Sequence, residues 1–191
     1  MRARPITLSD ALLRRSSLAL DLGLVAGFAG LTAVAAQLVI RLPFTPVPIT
    51  GQTFGVLLTG AALGSRRGAA AQFLYLALGS AGLPVYAGGA HGLPLSPSGG
   101  YLFGFVAAAY LIGRLVERGW DRRVGTAVLA MALGNGVIYL FGLPWLACYL
   151  GGSVAKTFML GLVPFVPGDL IKLALAAGLL PSAWALVRRL S

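Results

Sequence analysis

Long apolar stretches, broken by short clusters of Arg, Gly and Pro, run from about Leu18 to Val187. A helix needs ~20 apolar residues to cross the hydrocarbon core of a bilayer. The pattern predicts membrane spans over 18–40, 51–63, 69–79, 101–116, 124–141 and 169–187. The second and third are short, and the basic turn GSRRG at 64–68 predicts a hairpin between them. RLPFTPVPIT at 41–50 carries three closely spaced prolines, which forbid helix and favour extended, polyproline-like backbone. Residues 80–100 predict a Gly- and Pro-rich loop without Asp, Glu, Lys or Arg. Such a loop packs over something rather than floating in solvent. Residues 117–123 are a charged connection. Residues 142–168 are mixed, with Trp145 and Tyr149 as interfacial candidates. Residues 1–17 read as a basic segment, in which Ser9 or Asp10 caps a short helix.

Composition narrows the class. Of 191 residues, 58% are apolar and only 10% charged, with a mean hydropathy of +0.86. A soluble domain averages about 25% charged residues. Five acids cannot solvate a globule of this size, and disorder needs far fewer apolar residues. The Gly and Pro show no fibre-like period. An all-α integral membrane protein remains, a single bundle over 18–191. The N-terminal stretch is not expected to act as a secretory signal, because it is span-length and lacks a small-residue cleavage site. A lone cysteine, Cys148, permits neither an internal disulfide nor a cysteine metal site.

The net charge of +10 would suggest nucleic acid in a soluble protein. In a membrane protein it reports orientation. Placing both termini, the 64–68 turn and the 114–123 stretch on one side collects 12 of the 15 Lys and Arg there. Basic residues concentrate on cytoplasmic loops, so both termini are predicted inside. Nine of the 11 prolines then fall in the outer connections. Irregular backbone at membrane depth is tolerated where protein buries it or it lines a cavity. The polar business of the chain is therefore expected at its outer face.

Four groups of residues offer chemistry there. In PFVPGDLIK at 164–172, Asp169 sits where the last span begins and Lys172 lies one turn on, on the same face. A helix-terminal Asp is favoured by the dipole, whereas a first-turn Lys opposes it. An Asp–Lys pair at membrane depth is costly and reads as functional, with a structural ion pair as the alternative. Together they suit a small polar ligand carrying both N–H and C=O. In PFTPVPITGQTFG at 43–55, Thr45, Thr50, Gln52 and Thr53 line a stiff strip, either a rigid connector or a preset lid. GLPVYAGG and SPSGGYLFGF supply Tyr86, Tyr101 and close-approach glycines including Gly100. Asn135, in the fifth span, suits an interhelical hydrogen bond or the pocket. No Walker motif, paired carboxylates, nucleophile–base pair or metal cluster is evident, so neither an enzyme nor a metal protein is expected.

The strings PFTPVPITGQT, GLPVYAGG, SGGYLFGF and PFVPGDLIK, in this order, resemble BioY proteins, the biotin-specific S components of energy-coupling factor (ECF) transporters. The resemblance implies a bundle of about six helices in a prokaryotic cytoplasmic membrane, with an outward pocket for biotin beneath the 43–52 loop. It implies contacts to biotin from Asp169 and Lys172, and room for the apolar ring and chain beside Tyr86 and Tyr101. It also implies docking on a transmembrane T component with two ATPase subunits, which alone use ATP, or action without them. The small-residue face carrying Ala29 and Ala33 is the implied docking surface, with packing inside the bundle as the alternative reading.

Overall fold

The computed structural model describes residues 7–12 and 17–190. Arg2, Arg4, Arg14 and Arg15 of the predicted basic segment lie outside the described residues. The chain is mostly helical. α1 (Leu8–Leu12) leads into α2 (Leu18–Ala35), α3 (Gln52–Leu63), α4 (Ser65–Ser80), α5 (Gly99–Val116), α6 (Val124–Tyr149), α7 (Val154–Gly161) and α8 (Val166–Leu190). α2, α5, α6 and α8 are each long and apolar enough to cross a membrane, while α3 and α4 are shorter. α5 is the most enclosed of the long helices and α2 the most exposed. α5 packs on α3, α4 and α6, and α8 packs on α6 and α3.

Several boundaries differ from the sequence expectation, each for a local reason. α2 ends at Ala35 rather than running to 40. The β-branched pair Val39–Ile40 (β1) instead forms a short antiparallel ladder with Ile49–Thr50 (β2). The proline segment 41–48 is therefore the connection of a hairpin. The basic turn at 64–68 contracts to Gly64, whose φ of +80° suits glycine. Arg66 and Arg67 then fall in the first turn of α4, where their charge opposes the helix dipole. Glu117 offsets this from beyond the end of α5. Its Oε1 accepts from the Ser65 backbone N–H at 2.8 Å and from the Ser65 hydroxyl at 2.7 Å.

α6 continues through Pro144 to Tyr149, as proline is tolerated in apolar helices with neighbours to satisfy the freed backbone. The mixed region also holds α7, which the pattern did not reveal. α8 starts at Val166, not Asp169. Pro167 occupies its first turn, where the missing N–H has no partner to lose. Lys172 thus stands in the second turn, which weakens the argument from the helix dipole.

Of the two readings of the small-residue face of α2, the structure places its alanines against the rest of the bundle. Ala29 is 1% exposed and sits in the core with Ala36, and Ala33 packs against the same cluster. They share the inward face of α2 with Thr32, which accepts from the Gln72 amide at 3.0 Å. Helix packing of small residues explains this side of α2. Its outward face carries Leu31 and Val34, and Leu18 and Leu22 are exposed nearer its start.

Candidate functional site

The β1–β2 hairpin, residues 86–98, the near ends of α3, α5 and α8 and the middle of α6 enclose a cavity of about 320 Å³. The loop above it is tied down by backbone bonds. Gly88 N–H donates to Ala36 O at 3.1 Å and Gly92 N–H to Gly79 O at 2.7 Å. Tyr86 is the peg beneath that loop. Its hydroxyl donates to Leu76 O at 2.7 Å and pairs with Ser80 Oγ at 3.1 Å. Burial pushes the Tyr86 phenol above its usual range, although its bonds to Ser80 oppose the rise.

The polar floor is built on α8, α6 and α3. Asp169 is 7% exposed. Its Oδ2 accepts from the Asn135 amide at 2.8 Å and from the Tyr139 hydroxyl. Its Oδ1 lies 3.3 Å from the Lys172 ammonium, which also donates to Thr53 Oγ1 at 2.7 Å. One carboxylate therefore meets three donors from two helices, and a buried charge is tolerated because it is paired and hydrogen-bonded. Beside it, Gln52 is buried. Its amide N–H donates to Tyr75 Oη at 2.6 Å and its carbonyl accepts from Thr50 Oγ1 at 2.9 Å. The Tyr75 hydroxyl passes the chain on to Val85 O at 3.0 Å. This network joins the entrance of α3 to the loop over the cavity.

The remaining wall is apolar, with Val47, Leu102, Phe105, Ile138 and Phe165 lining it. Tyr101 stands edge-on to Tyr139 with centroids 6.2 Å apart, its own hydroxyl donating to Gly161 O at 2.9 Å. Arg41 and His91 line the mouth. Of the fixed charges lining the cavity, two are cationic, Arg41 and Lys172, and one is anionic, Asp169. The arrangement suits a small, largely apolar guest with a compact N–H and C=O group at one end and a negative charge at the other.

Among the residues predicted from sequence, Asp169, Lys172, Asn135, Gln52, Tyr86 and Tyr101 line this cavity. Thr45 and Gly100 do not. The Thr45 hydroxyl donates to Leu160 O at 2.7 Å and so fastens the proline segment to the end of α7. Gly100 is a packing position, since a Cβ there would lie 2.3 Å from the Trp145 Cβ. Asn135 makes the interhelical hydrogen bond from α6 to α8 and lines the cavity. Tyr139 and Tyr75 were missed. Tyr139 lies one turn from Asn135, and that i,i+4 spacing was the available signal.

Comparison with known proteins adds independent findings. The model of the BioY family matches residues 7–189. The chain is 41% identical over 167 residues to the biotin transporter BioY of Rhizobium etli, covering 82% of this chain and 89% of the relative. It is 42% identical over 157 residues to the biotin transporter BioY of Thermotoga maritima, covering 78% and 87%. A crystal structure of the S-component for biotin from an ECF-type ABC transporter superposes with a TM-score of 0.76 at 28% identity, covering 92% of this chain and 94% of that one.

Proposed function

The chain belongs to the BioY family of membrane transport proteins, not enzymes, and we propose that it takes up biotin by binding it in the cavity above Asp169. Its function is biotin uptake. The observation that carries the site is the pair of buried Asp169 and half-buried Lys172 on the cavity floor, with α6 donors behind it and an apolar chamber in front. The ureido ring of biotin carries two N–H donors and one carbonyl. Asp169 Oδ1 accepts one N–H, the Asn135 carbonyl oxygen accepts the other, and Lys172 donates to the carbonyl. The sulfur ring and the aliphatic chain lie along Tyr101, Leu102 and Phe105. The valerate carboxylate reaches Arg41 at the mouth. A site built to hydrogen-bond a polar head rejects analogues that lack it.

Six helices, α2 to α6 and α8, cross a prokaryotic cytoplasmic membrane in this reading, as a single domain with the cavity outside. The support is that α5 begins beside the cavity lining at Ser98 and Tyr101 and ends at an Arg-rich rim with Arg66, Arg67, Arg114 and Arg118. The protein needs no cofactor of its own. A transmembrane partner with ATPase subunits energises release, and the exposed apolar face of α2 is available to such a partner. The test is uptake of labelled biotin into cells lacking other biotin transport, with competition by unlabelled biotin, thiamine and riboflavin. Competition by biotin alone supports the reading, and competition by another vitamin alone replaces the ligand.

A further inference from the structure

We infer that Tyr139 is a positioning residue for the ligand: its hydroxyl, with the Asn135 amide, fixes the Asp169 carboxylate so that only Oδ1 faces the bound molecule. The inference rests on the biotin reading of this cavity and adds a residue to it.

Asn135 and Tyr139 are one turn apart on α6 and both donate to Oδ2. A carboxylate has about four lone-pair sites, two per oxygen. The α6 donors occupy those of Oδ2. Oδ1 has Lys172 at 3.3 Å and keeps one site for a ligand N–H. The Lys172 ammonium has three protons. Thr53 takes one and Asp169 another, which leaves one for a ligand carbonyl. The Asp169–Lys172 pair therefore presents one acceptor and one donor side by side. That pair matches a cyclic urea edge, N–H next to C=O. Were the carboxylate free to rotate, both oxygens would compete for Lys172 and the pairing would lose its register.

Tyr139 is itself held in place. Its ring stands edge-on to Tyr101, at 81° between planes, and the Tyr101 hydroxyl is bonded to Gly161 O. On the far side the ring borders a groove lined by Leu140, Leu143, Val154 and Phe158. The one side-chain hydroxyl there besides its own, Thr157, donates to Ser153 O at 2.8 Å and keeps only neutral lone pairs to offer. A phenol turned that way would exchange a charged acceptor for at most a neutral one, and a hydrogen bond to a charged group is the stronger. Asp169 is the stronger partner of the two.

The test is a double-mutant cycle with Tyr139→Phe and Asp169→Asn, reading the biotin Kd by calorimetry on purified protein. Y139F keeps the ring and deletes only the hydroxyl. We expect it to weaken biotin binding about tenfold in the native background, as for loss of a hydrogen bond to a charged group. In the D169N background the same change costs less than about twofold. Equal losses in both backgrounds, or no loss in the native one, overturn the inference. A second readout needs no ligand. In protein carrying isotope-labelled aspartate, Y139F shifts an infrared carboxylate band, and the shift is absent in D169N. An unmoved band also overturns it. If native protein fails to bind biotin, the ligand reading fails, and the infrared shift still decides whether Tyr139 acts on Asp169.

Discussion

The Lys172 ammonium donates to the Thr53 hydroxyl at 2.7 Å, joining α8 to α3 across 119 positions of sequence. This bond sets the lysine between two acceptors, Thr53 Oγ1 and Asp169 Oδ1, and leaves one ammonium proton unclaimed among the described residues. Removing the hydroxyl lets the ammonium settle on Asp169 alone, where it competes with the ligand for Oδ1. We expect Thr53→Val to weaken biotin binding by about three- to tenfold, the range for the net contribution of one ordinary hydrogen bond, since the lysine keeps its bond to Asp169. Thr53→Ser retains the hydroxyl and stays near native. Calorimetric titration of both variants checks this.

Arg41 is predicted to recognise the far end of the ligand. It lines the cavity mouth, with an Nη atom 3.2 Å from the position a Cβ on Gly88 would take. Arg41→Met should weaken biotin roughly tenfold while leaving the methyl ester of biotin, which carries no charge, within about twofold of its affinity for native protein. Equal losses for acid and ester would place the arginine elsewhere in the mechanism.

The junction of α4 and α5 depends on a missing side chain. A Cβ on Gly113 would lie 2.2 Å from the Ser65 backbone nitrogen, a contact that rotamer changes cannot relieve. Gly113→Ala should cost about 1–3 kcal/mol of stability, read as a lower unfolding temperature. Gly178→Ala, where nothing lies within 4 Å of the added carbon, should be tolerated. The pair of variants separates close approach from the general effect of replacing glycine in a helix.

Asp121, in the connection between α5 and α6, is fully buried. Trp184 donates to its Oδ2, and its Oδ1 has no partner among the described residues. Burial pushes this carboxyl above its ordinary 3.8, against the pull of the Trp184 bond. A group whose value is raised on folding holds its proton more tightly folded than unfolded. Its ionised form therefore costs stability at neutral pH, and the cost fades as pH falls through the folded value. Asp121→Asn keeps an acceptor for Trp184 without the charge. At about pH 7 it should be at least as stable as native protein, and the gap should close as the pH is lowered towards about 4. Thermal unfolding of both proteins across that range measures the difference.

Much of this arrangement was legible because membrane burial imposes simple patterns. The four long helices follow from apolar runs, and the floor from an Asp and a Lys three residues apart, since that spacing alone puts both on one side of α8. What escaped depended on contacts between distant segments. Val39–Ile40 reads as a continuation of α2 until Ile49–Thr50 arrives to pair with it. The fifth span reads as ending near 141 because sequence does not display the neighbours that sustain α6 through Pro144. Ala29 and Ala33 are small residues at helical spacing whichever way they face, and only packing against the core turned them inward. Thr45 and Gly100 are of types that suit a ligand, yet each is engaged by protein instead, Thr45 by Leu160 O and Gly100 by Trp145. Tyr139 was hidden for the opposite reason, as one more aromatic in an apolar span.

The central claim is that Asp169 anchors biotin. Calorimetry of biotin binding to purified native protein and to Asp169→Asn tests it most directly. Native protein should bind with a submicromolar Kd, as expected of a preformed, largely apolar pocket with few convergent polar groups, and D169N should bind at least about tenfold more weakly. Folded native protein that does not bind biotin, or D169N that binds as well as native, would contradict the account.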